Sequence, residues 1–250
     1  MTIKDARKQQ RKSIKNRSLK ERFSYFWEYF GMKTIAGIVA IVIVIAFIVT
    51  MVTKKEYAFT AVFFGGHAQP NATHYVKQYA NSSGIDLSKY DVSVTCYPDI
   101  RMDQQVTQEI HDQMQTFASM VSTNSVECFA GHQDLFLYYA YMGYATDLRT
   151  VLTEQALAEL GPYLHYIDNS LIEKQEQANG GLTDAYFQRQ DSTCPELMDD
   201  PIPVGISLEA ANAAFLENYH FCEDAVIGIC VTSSHPKNAL AFLKYCMNLI

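Results

Sequence analysis

With 27 Asp or Glu against 20 Lys or Arg over 250 residues, and a formal net charge of −7, the chain is acidic overall, and no nucleic-acid partner is expected. Its 12% aromatic content, with no low-complexity tract or fixed-period repeat, excludes wholly disordered and solenoid classes. The charge is split: residues 1–33 carry ten Lys or Arg and three Asp or Glu, a net +7, and the remainder carries −14.

Residues 1–33 read as a basic tail that ends in an aromatic cluster, Phe23 to Phe30, of the kind that settles at a membrane interface. Its positive charge suits anionic headgroups. Ile35 to Val52 then contains no charged residue, and eighteen helical positions span about 27 Å, close to a bilayer's hydrocarbon thickness. A transmembrane helix over 34–53 is expected, because a lone strand in lipid would leave its backbone unpaired despite the many Ile and Val residues. The Thr53-Lys54-Lys55-Glu56 sequence that follows offers no small-x-small cleavage site, and the first cysteine is Cys96, so an uncleaved anchor is expected. Ten basic residues precede it and only Lys54 and Lys55 follow closely, which places the N-terminus in the cytoplasm and residues 56–250 outside the cell membrane.

In that outer segment, Tyr57 to Phe64 reads as a buried strand ended by Gly65-Gly66, and Pro70 to Ser82 as a helix. Asp91 to Tyr97 alternates apolar and polar positions as a second strand. A helix is expected over about Met102 to Val121, with Val106, Ile110, Met114, Phe117 and Val121 at spacings of three and four. Val126 to Ala130 reads as a third strand and Asp134 to Met142 as a helix. Thr153 is a helix cap, Tyr163 to Glu173 reads as strand, and Lys174 to Pro201 as a long irregular connection. Pro203 to Ile206 is expected as a strand, Leu208 to Glu217 as a helix and Ala225 to Thr232 as a buried strand, with Pro236 opening the last helix. Strand alternating with helix predicts an α/β domain with a mostly parallel sheet and helices on both faces. Val62, Val94 and Ile229 are expected on adjacent buried strands. The six cysteines read as mostly free, buried thiols, with Cys194 and Cys222 the pair best placed to bond if any does.

Ligands of open α/β sheets gather at the carboxyl ends of strands. The candidate ligand-binding residues are therefore Gly65, Gly66 and His67 after the first strand, Tyr97, Asp99 and Arg101 at the second, and His132 and Asp134 at the third. The seven histidines form no H-E-x-x-H, and Gly65-Gly66 fits neither the dinucleotide nor the phosphate-loop pattern, so no metal, cofactor or catalytic residue is expected. Cys128 with His132 fails as a nucleophile and base, because an apolar strand disfavours the thiolate. The acidic domain favours a neutral or cationic solute over an anionic one.

Two stretches carry a family resemblance. Cys128 to Leu148 (CFAGHQDLFLYYAYMGYATDL) and Pro203-Val204-Gly205-Ile206 with Ile227 to Tyr245 (IGICVTSSHPKNALAFLKY) resemble bacterial extracellular solute-binding proteins of ABC importers, in short membrane-anchored form. The second stretch holds the spacing S-x-x-P-x-x-A-x-x-F-L-x-Y. The resemblance implies a non-enzymatic module with a single solute-binding lobe, since about 195 residues cannot supply two, serving a transporter or a sensor. The alternative from another class is a structural or assembly protein whose outer domain binds another membrane or cell-surface protein.

Overall fold

A computed structural model of the chain describes residues 18–53, 55–105, 107–177 and 182–249. The basic tail up to residue 17, Val106 and Gly180-Gly181 lie outside the described residues. The chain divides into two compact units, Met1–Lys54 and Lys55–Ile250.

The first unit is built on one helix, α1 (Leu19–Thr53). Within it Gly31–Met51 has a mean hydropathy of 2.9 and is long and apolar enough to cross a membrane. Thr50 Oγ1 donates to Ala46 O at 2.8 Å, which satisfies the hydroxyl inside an otherwise apolar run. The helix starts twelve residues before the apolar stretch, and there the exposed Phe23 and Trp27, one turn apart, stack at 6.1 Å.

The second unit contains strands β1 (Glu56–Phe64), β2 (His67–Ala68), β3 (Tyr90–Tyr97), β4 (Cys128–His132), β5 (Leu164–Asp168), β6 (Pro201–Ser207), β7 (Tyr219–His220) and β8 (Ala225–Ile229). Its helices are α2 (Ala72–Ser82), α3 (Gln108–Ser122), α4 (Gln133–Tyr141), α5 (Glu154–Leu160), α6 (Asn169–Gln177), α7 (Leu182–Phe187), α8 (Ala213–Asn218) and α9 (Pro236–Met247). Among the described residues six strands form one sheet in the order β3-β1-β4-β8-β6-β5, and β2 pairs separately with β7.

The expectation of a mostly parallel sheet is overturned. Only β3 with β1 and β1 with β4 are parallel; β4 with β8, β8 with β6 and β6 with β5 are antiparallel. The cause lies in the connection from β6 to β8. There the chain passes through a 3-10 turn, the six-residue α8 and β7, a path that returns it to the end of the sheet it left, so β8 runs against β6. On its other side β8 starts where β4 ends and runs against it, His132 facing Ala225 and Cys128 facing Ile229.

Helices cover both faces, which is why even the antiparallel strands are apolar along their length. On one face Phe59, Ala61 and Phe63 of β1, Cys128 of β4 and Ile227 and Ile229 of β8 pack with Tyr79 of α2, Phe215 of α8 and Phe242 of α9. On the other, Val62 and Phe64, Phe129 and Val226 meet Phe117 of α3 and Phe136 of α4. Val62 and Ile229 are both buried, but on opposite faces and with β4 between their strands, while Val94 on β3 is half-buried.

Local chemistry sets the element ends that periodicity misplaces. The third helix starts at Gln108 because Thr107 caps it, Oγ1 accepting from Ile110 N at 3.3 Å. The strand expected through Glu173 ends at Asp168, whose Oδ1 accepts from Ser170 N at 3.0 Å and opens α6. The helix expected over Leu208 to Glu217 splits into a single 3-10 turn and α8, because Asn212 Oδ1 takes the Phe215 N–H at 2.8 Å.

Candidate functional site

Strands β1, β3 and β4 run in one direction, and β6, opposed to β8, shares it. Four carboxyl ends therefore emerge at one end of the sheet. After β1 the chain turns into α2 on one face, and after β4 it turns into α4 on the other. Neighbouring strands whose connections leave in opposite senses open a crevice between their ends.

The loop after β1 is bound closely to the end of β3. Gly65 adopts φ +73°, a conformation that a side chain strains, and its N–H donates to Tyr97 O at 2.9 Å. A Cβ here would lie 3.0 Å from Asp99 Oδ1 and 3.1 Å from Cys222 Sγ, so the turn, the carboxylate and the thiol share one spot. Asp99 Oδ2 accepts from Arg101 Nε at 3.0 Å, while Oδ1 is buried without a hydrogen-bond partner. Burial first, and then the Asp99 carboxylate, push the Cys222 thiol up to about 11, so it stays protonated near neutral pH. Gly66 packs under Phe221, and Tyr97 stacks on Phe64 at 5.4 Å. His67 lies on β2 directly opposite His220 of β7, both exposed.

A second group stands at the end of β4. His132 Nδ1 accepts from Asp134 N at 3.3 Å, which leaves the ring's proton on Nε2 as a donor. Asp134 Oδ1 pairs with Arg189 Nη2 at 2.6 Å, and the Arg189 guanidinium lies 4.0 Å over the Tyr186 ring. The segment from Phe221 to Ala225 joins the two groups: Cys222 touches the Gly65 turn, Asp224 O accepts from Gln133 N at 2.9 Å, and Ala225 faces His132.

The eight candidates thus sit at the ends of three strands in two groups. Gly65, Gly66, Tyr97, Asp99 and Arg101 form one, with His67 at its border, and His132 and Asp134 form the other. Among the described residues no hydrogen bond or ion pair joins the groups directly.

A cleft of about 790 Å³ opens beside them, lined by Leu208, Glu209, Leu216, Tyr219 and the run from His220 to Ala225. None of the eight lines it; Cys222, which touches Gly65, connects it to them. Glu209, Glu223 and Asp224 supply its charge and no Lys or Arg is among its lining residues, so it presents negative potential. These residues escaped the sequence reading because the connection from β7 to β8 was not recognised as a strand-end loop. Arg189 escaped it too, reaching Asp134 from 55 positions away only through the docking of α7 on α4.

Cys128 is buried, its thiol pushed well up by that burial and donating to Ala239 O at 3.6 Å, so it is no nucleophile. All six cysteines are free, Cys194 and Cys222 included. Among the described residues no group of three or more His, Cys, Asp or Glu is placed to hold a metal ion. No family model, curated protein or solved structure matches the chain.

Proposed function

We propose that this chain is a single-pass, membrane-anchored module whose extracytoplasmic domain takes up a small neutral or cationic solute at the strand ends, in the service of an importer or a sensor. The observation that carries the reading is the acidic cleft of about 790 Å³ beside the point where the connections from β1 and β4 diverge. The anchor and its orientation rest on the apolar Gly31–Met51 run and on the split of basic and acidic residues around it. The resemblance to solute-binding proteins of importers supports the same class.

The test is a thermal-shift screen of the full chain in detergent against amines, amino acids, short peptides and sugars. A ligand at a hundred times its dissociation constant adds about 2.7 kcal/mol, a rise of roughly 5–10 °C for a domain of this size. A hit that is lost on Glu223→Gln or Asp224→Asn supports the cleft. Failure of every small molecule, together with capture of a defined membrane-protein partner, would replace it with the assembly reading. Protease added to intact protoplasts digests the outer domain and spares a tag at Met1 if the orientation is right.

A further inference from the structure

We propose that His67 and His220 form a two-imidazole site for an exchangeable divalent transition ion of the Zn²⁺, Ni²⁺ or Cu²⁺ class. The inference goes beyond solute binding and needs neither the anchor nor an occupied cleft. It begins with strand register. The β2–β7 ladder is antiparallel, with His67 opposite His220 and Ala68 opposite Tyr219, and the backbone bond from Gln69 N to Asn218 O at 2.9 Å extends it. Directly opposed residues of an antiparallel pair project from the same face with Cβ atoms about 4.5–5.5 Å apart. That spacing lets two rings reach one ion at about 2.0–2.1 Å each.

The facing is fixed by the neighbours. Tyr219 points inward, 5.1 Å from the Phe63 ring centroid and donating its hydroxyl to Ala72 O at 3.4 Å, so alternation turns His220 outward. His67 and His220 are both exposed, and the buried Tyr219 holds their ladder against the core. The backbone is therefore set before any ion arrives, which lowers the ordering cost of binding.

The amide of Gln69 lies 3.2 Å from His220 Nδ1 and so occupies the ring nitrogen nearer the backbone. Imidazole ligands are commonly oriented by such a partner on the second nitrogen, which leaves Nε2 for the metal. In that tautomer His220 Nδ1–H donates to the carbonyl oxygen of the Gln69 amide, turned over from its unliganded orientation. Two neutral nitrogens with water completing the shell suit zinc, nickel and copper, whereas magnesium and calcium require oxygen ligands. Glu223 and Asp224, a few positions beyond His220, and the net −14 of the outer segment draw cations toward this end of the sheet.

The test uses the full chain, purified without a histidine tag, stripped with EDTA and held at about pH 7.5. Calorimetric titration is expected to show one Zn²⁺ or Ni²⁺ bound per chain, with a dissociation constant on the order of tens of micromolar, and no response to Mg²⁺. His67→Ala and His220→Ala should each weaken binding about tenfold or more, Gln69→Ala should weaken it less, and His74→Ala should leave it unchanged. The Cu²⁺ spin-resonance spectrum should show two nitrogen ligands in the unaltered chain and one in either histidine variant. Equal affinity in the unaltered chain and the double variant, a copper spectrum with fewer than two nitrogens, or no saturable binding would overturn the proposal. Should an alanine variant melt early in EDTA, the His67→Gln and His220→Gln variants and the copper spectrum of the unaltered chain decide the outcome.

Discussion

Removing the Asp168 carboxylate should cost the second unit, Lys55–Ile250, about 3–4 kcal/mol. Asp168 is buried at the end of β5, and its two oxygens accept three backbone N–H groups: Ser170 at 3.0 Å, Asp199 at 3.1 Å and Asp200 at 3.1 Å. One side chain thus caps α6 and pins the loop that leads into β6. Burial works against the ionised form, but the bonds from Ser170, Asp199 and Asp200 outweigh it and hold the carboxyl below its ordinary range. A bond to a charged group contributes about 1.5–3 kcal/mol, but Asp199 and Asp200 are exposed, and water replaces much of what they lose. The Ser170 bond at about 1.5 kcal/mol and the two others at about 1 kcal/mol each give the figure above. Asp168→Asn keeps one acceptor oxygen but turns donors toward a donor, so it should lose about 2 kcal/mol. Urea unfolding followed by far-ultraviolet circular dichroism measures both variants against the unaltered chain. If both stay within about 0.5 kcal/mol of it, the carboxylate does not hold this corner and the reasoning fails.

Burial pushes the His165 imidazole, bonded to Ser192 Oγ at 2.9 Å, down to about 4. The neutral folded form then contributes stability that is complete above about pH 6.5 and is withdrawn as the pH falls toward 4, about 3 kcal/mol in all at about 1.4 kcal/mol per pH unit. His165→Gln should flatten the stability profile between those pH values, and an unchanged slope would count against the buried neutral ring. Glu127 has the opposite sign: burial raises its pKa despite bonds to Thr60 N at 2.6 Å and His235 Nδ1 at 3.2 Å, so acidification through the raised value toward 4.5 adds stability. Glu127→Gln should be at least as stable as the parent at neutral pH, while Glu127→Ala should lose about 2–3 kcal/mol by orphaning Thr60 N; equal losses in the two would refute this. Gly65→Ala should cost about 2 kcal/mol through its positive φ and the nearby Asp99 and Cys222, and a melting temperature equal to the parent's would show that the turn relaxes freely.

The strands of the main sheet were legible where burial leaves a continuous apolar run, as in Tyr57 to Phe64 and Ala225 to Thr232, and the last helix where Pro236 opens it. Strand direction was not legible. A run such as AVIGI, buried on both faces, reads the same whichever way it lies. Helix α6 was missed because Asp168 looked like one more strand position, whereas its cap depends on a side chain folding back on Ser170. The Gly65 turn and its neighbours Tyr97 and Asp99 could be singled out as strand-end residues, since each mixes turn chemistry with hydrogen-bonding capacity. The cleft residues Glu209 and Glu223 and the Arg189 partner of Asp134 could not, because long-range packing alone brings them there.

The position of β8 has a consequence for the order in which the sheet forms. During synthesis β3, β1 and β4 can associate once residue 132 has emerged, and β5 with β6 once residue 207 has, as two separate fragments. Among the described residues, strand pairing joins the two halves of the sheet through Ala225–Ile229, which is made after all the other strands. Until then β4 and β6 each present an unpaired edge, the kind of surface from which intermolecular strand pairing starts. Closing the sheet joins residues far apart in sequence, a long-range step that slows folding, and a chain cut before Ala225 would be left with both edges open.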